Sequence, residues 1–142
     1  MIAQVYSSET DEWDLWNDLE KEVWGHACTR VDDLVVVAGG VDNFFTIISY
    51  TVILDLNTRE ERVIGDLVGP RAWFGMATLD DRVLAFGGMS PLYDRDSYSD
   101  IQMLDMDTEQ WIVSEEGLET SLGISSFATA VVYMDQVCSN SH

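Results

Sequence analysis

The stretch RVLAFGG, Arg82 to Gly88, runs a short strand-forming segment into two adjacent glycines, and LVVVAGG, Leu34 to Gly40, does the same 48 residues earlier. An apolar run this short, bounded by glycine, reads as a buried β-strand with an abrupt exit. A residue without Cβ takes positive φ freely and lets a neighbouring backbone come close, which a tight exit between crowded strands requires. One Gly-Gly is an ordinary turn. A second in matching context is a repeat, and a repeat decides the architecture.

Outward from the glycines the flanks fall into line. GHACTRVDDLVVVAGG from Gly25 lies over GMATLDDRVLAFGG from Gly75, with a two-residue difference near Thr29-Arg30. Both carry an Asp pair, Asp32-Asp33 and Asp80-Asp81, between apolar runs. Downstream, VILDLNTRE from Val52 lies over QMLDMDTEQW from Gln102, sharing Leu-Asp-apolar-Asn/Asp-Thr up to Thr58 and Thr108. A third copy, VYSSETDEW from Val5, brings Thr10 into line with those threonines and Trp13 with Trp111, while Glu61 breaks the aromatic series. In the best copy the predicted strands are 74–79, 82–86, 98–106 and 110–113. Such short strands, separated by turn residues, predict an all-β fold, and four per unit at a period near 48–50 predict propeller blades. Between Trp13 and Val23 a helical reading competes, since Trp13, Trp16, Leu19 and Val23 recur near helical spacing and Ser8 with Asp11 suits a capping box. The repeat register of Thr10 and Trp13 favours strand and loop.

The constellation resembles the kelch repeat: an apolar strand, a glycine pair closing it, an Asp-x-x-Thr turn, then a Trp. Those roles fall to Gly39, Gly40, Leu54, Asp55 and Thr58, and again to Gly87, Gly88, Leu104, Asp105, Thr108 and Trp111. Tyr6, Thr10 and Trp13 supply the partial copy. The Arg that often opens a kelch blade corresponds to Arg71, with Lys21 in the corresponding place before Gly25. Leu54 and Leu104 stand where the family usually has tyrosine. The resemblance implies a kelch-type β-propeller of four-stranded antiparallel blades over a single region, 1–142. The end of one blade spans 1–16, whole blades span 24–64 and 73–114, and 125–138 starts another. Two whole blades and two partial ones do not close a propeller, so the expectation is an incomplete propeller whose open ends favour self-association.

Composition bounds the function. The chain has 142 residues, 46% hydrophobic, with no long apolar run and no secretory pattern at its start. Two cysteines, Cys28 and Cys138, are too few for a disulfide framework, so reduced thiols and an intracellular location are expected. Twenty-six acidic side chains against seven basic ones give a net charge of −19. That field repels nucleic acid and anionic membranes and attracts basic protein partners. The plainer reading is that the acids only solvate turns.

No catalytic site assembles. His26 and Cys28 lie two apart on a predicted strand, but no second internal histidine or cysteine completes a metal or nucleophile site, Cys138 and His142 standing at the end. DRDSYSD, Asp94 to Asp100, lacks the oxygen ligand at Tyr98 and the glycine at Ser99 that a calcium loop needs. Asp55 and Asp105 belong to separate turns. No cofactor is expected. The resemblance implies a protein-interaction module and, within a longer chain bearing a BTB domain, the substrate-recognition part of a cullin-based ubiquitin-ligase adaptor. The alternatives are a non-functional truncated fragment and a carbohydrate-active propeller enzyme. The loops that differ between the repeats, 41–46 and 89–97, are the candidate binding surface, with Phe44, Phe45, Tyr93 and Arg95 as its anchors. The phenylalanines packing inward is the competing arrangement.

Overall fold

The computed structural model describes residues 4–15, 20–91 and 97–115, together with positions 125, 126 and 129. In chain order the strands are β1 (Gln4–Ser7), β2 (Glu12–Leu15), β3 (Val23–Trp24), β4 (Ala27–Val31), β5 (Leu34–Ala38) and β6 (Val41–Asp42). There follow β7 (Thr51–Asp55), β8 (Glu61–Val63), β9 (Gly75–Leu79), β10 (Arg82–Phe86), β11 (Ile101–Asp105) and β12 (Gln110–Val113). Two four-stranded antiparallel sheets form, β4-β5-β7-β8 and β9-β10-β11-β12, with β1-β2 as a hairpin before them. These are the expected blades, and the described residues contain no helix. Trp13 and Val23 lie in strands, which overturns the helical alternative at both positions; Trp16 and Leu19 lie outside the described residues.

LVVVA is apolar throughout because β5 is covered on both faces. Val36, Ala38 and Ile53 turn toward the second sheet and share a core with Val83, Ala85, Leu104 and Trp111. Val35, Val37, Val52 and Leu54 turn the other way and pack with Val5. The three copies superpose pair by pair: Tyr6 opposite Trp13, Leu54 opposite Glu61, Leu104 opposite Trp111.

Both glycine pairs have left-handed backbone. At Gly39, φ +62°, a Cβ would stand 2.4 Å from the Arg71 carbonyl oxygen and 2.7 Å from the Phe74 ring. At Gly88, φ +100°, it would stand 2.6 Å from the Phe74 Cβ. Gly39 thus admits the next blade, while Gly40 and Gly88 each admit the segment that opens their own.

One expected alignment is corrected. Ala27 pairs with Ala38 and Gly75 with Phe86, so Ala27, not Gly25, occupies the Gly75 position. The glycine letters at 25 and 75 coincide only by sequence; what recurs is a left-handed backbone at Gly25 (φ 65°), Trp73 (φ 52°) and Ser126 (φ 59°). These three are linked in series. The Trp73 N–H donates to the Gly25 carbonyl at 2.7 Å, and the Ser126 N–H donates to the Trp73 carbonyl at 2.7 Å. Side chains repeat the pattern, the Thr78 hydroxyl donating to the Arg30 carbonyl and the Thr129 hydroxyl to the Met76 carbonyl, each at 2.7 Å. The third strand is also shorter than the expected 98–106. It starts at Ile101 and stops at Asp105, because Tyr98 and Asp100 turn aside to hold Arg71 and Asp105 begins a turn.

Candidate functional site

The antiparallel order sends successive connections to opposite ends of each sheet. The Asp-Asp turns and the Asp-x-x-Thr turns share one end, where Leu56 N–H reaches the Asp33 carbonyl at 2.8 Å and Asn57 reaches its carboxylate at 3.0 Å. The Asp55 Oδ1 accepts the N–H groups of Asn57 and Thr58, and the Asp105 Oδ1 those of Asp107 and Thr108. These bonds favour the ionised form and hold both carboxyls below the ordinary aspartate value. Each aspartate therefore serves its own turn.

The opposite end carries the loops that vary. After β6 the chain reverses within a few residues, closed by a bridge between Val41 and Ile47. Asp42 builds the reversal: its Oδ1 accepts the N–H of Phe44 and of Thr46, both at 2.9 Å, while its main chain bonds Thr46 and Phe45. Phe45 is held at φ 60°. Asn43 ties the turn to the strand before it by donating to Glu22 at 2.9 Å. The result is a fixed turn with Phe44 86% and Phe45 78% exposed. The inward arrangement is overturned, because Asp42 turns the chain away from the sheet before either ring can reach the core. Tyr93 and Arg95 lie outside the described residues. Beside the turn, Trp24 pairs with Val41, is half exposed, and sets its ring edge-on to Trp73 of the next blade at 5.3 Å.

Below this surface lies a buried cation. Arg71 is fully buried, donates to both oxygens of Asp100 at 3.1 and 3.0 Å and to the Gly87 carbonyl at 3.1 Å, and covers the Tyr98 ring at 4.1 Å. Burial pushes the Asp100 carboxyl up, but its hydrogen bonds with Arg71 and Gln102 and the Arg71 charge bring it below the usual value. Gln102, also fully buried, bonds the Val68 main chain in both directions and so fixes the segment between blades. The equivalent of Arg71 in the first blade is Val23, not Lys21. Lys21 nevertheless covers Tyr50, the counterpart of Tyr98, at 4.1 Å. Burial, with Glu61 and Glu20 nearby, pushes the Tyr50 hydroxyl up to about 12.

His26 and Cys28 do not form a reactive pair. Burial pushes the His26 imidazole down and the Cys28 thiol up, the reverse of an activated thiolate and its base. His26 precedes β4 and packs against Gly40, and Cys28 lines a shallow groove with Thr29, Met76, Thr78 and Thr129.

Residues 70–114, from the entry to β9 through the end of β12, match the family model of the Kelch motif. The chain carries a kelch motif over these residues. Its matched blade contains Arg71, Gly87-Gly88, Asp105, Thr108 and Trp111, and the blade before it has the same strand order and pairing. Kelch repeats are protein-interaction modules. Trp24, Trp73 and the Arg71–Asp100 pair were not among the expected anchors. The repeated Tyr50 and Tyr98, each eleven residues after the first glycine of a pair, were the available signal.

Proposed function

We propose that this chain recruits a protein partner on the end of its sheets that carries the 39–50 and 87–100 loops, and that within a longer chain it supplies substrate recognition to a ubiquitin-ligase adaptor. The observation that carries this reading is the Asp42-capped turn, which presents two adjacent phenylalanines to solvent in a fixed geometry. Replacing Phe44, Phe45, Tyr93 and Arg95 together by Ala, in a chain that keeps its melting temperature, is expected to abolish capture of a partner identified with the wild type. Undiminished capture rules the surface out.

Self-association belongs to the same reading. On the face turned away from the first blade, Leu84 and Met103 are partly buried and Ile112 is half exposed, where the first blade buries Val36 and Ile53. Light scattering coupled to size exclusion is expected to show a larger species as salt screens the charge of −19. A monomer at both low and physiological salt contradicts it.

A further inference from the structure

We infer that a second copy of this chain covers the open face of the second blade with its β1-β2 hairpin, laying Tyr6, Trp13 and Leu15 on Leu84, Met103 and Ile112; this deepens the self-association reading above and rests on it. The contact has a template within the chain. The second blade lays Leu104 and Trp111 on Val36 and Ile53 of the first, and all four are buried there. The hairpin repeats one half of that contact, since Tyr6 stands opposite Trp13 as Leu104 stands opposite Trp111. The second blade repeats the other half, since Leu84 stands opposite Met103 as Val36 stands opposite Ile53. Val5 turns inward onto the first blade, so its neighbour Tyr6 and, across the pair, Trp13 turn outward. Tyr6 is half exposed, and Trp13 and Leu15 are two-thirds exposed.

One chain cannot join these halves. The hairpin and the second blade flank the first blade on opposite sides, and their outer faces look away from each other. A second copy joins them head to tail. Local charge agrees with this pairing. Arg82 takes the place of Leu34 at the margin of the second blade's open face, and among the described residues its bond is to the Met103 sulfur. In the template, Leu34 and Met106 both lie against the buried core. Ser8 is the hairpin's counterpart of Met106, so Arg82 meets a turn that carries Glu9 and Asp11 and no basic side chain. Such an exposed pair sets the register more than the strength. Ser126 and Thr129 carry the inter-blade bonds past the second blade, where the first strand of a further blade starts. A hairpin matching third and fourth strands belongs in that same blade. The contact made twice closes two copies into a ring of about six blades, within the range of closed propellers.

Light scattering coupled to size exclusion, on the full chain at physiological salt, tests the pairing with Trp13→Lys and Ile112→Lys. Both changes lower the net negative charge, so association lost through them is not added repulsion. Both side chains are exposed in the single chain, and each variant is expected to keep the wild-type melting temperature at low salt. Leu79→Lys, on the same face and also exposed, replaces Ile112→Lys if that variant melts early. The wild type is expected to run as two chains. Either variant alone is expected to associate about a hundredfold more weakly, about tenfold for each of the two equivalent contacts. An equimolar mixture of the two variants is expected to recover a two-chain species through the one contact whose faces are both intact. A wild type that is monomeric at low and physiological salt overturns self-association and this pairing together. A wild type that associates, with either variant associating equally well, overturns the head-to-tail pairing and leaves self-association standing. Variants that are monomeric alone and stay monomeric when mixed also overturn the pairing. A species of more than two chains overturns the closed ring.

Discussion

A methyl group at position 39 would meet the Arg71 carbonyl oxygen at 2.4 Å, and one at position 88 would meet Phe74 at 2.6 Å, so both glycines are fixed by backbone strain and by their neighbours together. Gly39→Val and Gly88→Val are expected to cost about 3 kcal/mol or more, lowering the melting temperature by roughly 10 °C. Phe44→Ala, at an exposed tip, is expected to stay within about 0.5 kcal/mol of wild type. Glycine variants that melt with the wild type would contradict the close approach. Arg71 is the other decisive residue: it is fully buried, and removing it empties a packed site and takes the bidentate partner from the partly buried Asp100 carboxylate. Arg71→Met is expected to destabilise by about 2–3 kcal/mol unless Asp100 is changed with it, and Arg71→Met with Asp100→Leu is expected to recover part of the loss. Because the folded chain holds the Asp100 carboxyl below its unfolded value, its contribution is present above the unfolded pKa and disappears as the pH falls through the lowered one. Asp100→Asn is therefore expected to flatten that part of the acid-side loss of stability, read by denaturant midpoint against pH. An unchanged acid limb would show that Asp100 does not carry it.

At the scale of the element, the same repeat position has opposite fates. Trp111 is 5% exposed, fills the core between blades and donates its indole N–H to Thr51 of the preceding blade at 3.1 Å. Trp13, its counterpart in the β1-β2 hairpin, is 67% exposed and touches Tyr6 at 5.3 Å. Trp111→Ala is expected to cost about 3–5 kcal/mol and Trp13→Ala less than about 1 kcal/mol, measured by chemical denaturation. Equal costs would contradict the assignment of Trp111 to the buried interface. Much at this scale was legible beforehand. Asp-x-x-Thr turns, strands β10 and β12 and the glycine exits follow from local chemistry that a one-dimensional pattern carries. The register through β4 did not, because the backbone repeats at Gly25 and Trp73, and nothing in the letter Trp announces a positive φ. Arg71 was marked, yet its bond to Asp100 joins positions 29 residues apart and could not be seen in either alone. Of the proposed binding surface, the loop was legible from its variation between copies. The outward direction of Phe44 and Phe45 was not, since it depends on which N–H groups Asp42 captures.

Across the whole molecule, consecutive blades meet through equivalent positions: Trp73 to Gly25, Ser126 to Trp73, Thr78 to Arg30, Thr129 to Met76. The stack forms against a net charge of −19, and the ion pairs Arg30–Asp33 and Arg59–Asp14 are exposed and weak. The melting temperature is accordingly expected to rise as sodium chloride increases from about 10 to about 150 mM, where screening shortens to ~8 Å. A fall would mean that surface pairs outweigh the repulsion. The stacking of the blades is the claim on which the rest depends, and cross-linking tests it most directly. The Thr29 and Thr78 hydroxyls lie 3.1 Å apart across the two blades. In a background with Cys28 and Cys138 changed to Ser, Thr29→Cys with Thr78→Cys is expected to close an intramolecular disulfide under mild oxidation without unfolding the chain. Thr58→Cys with Thr78→Cys, with one thiol on the outer turn between β7 and β8, is expected to remain open. Free thiols at 29 and 78 in an oxidised, natively melting chain would contradict the stacked blades.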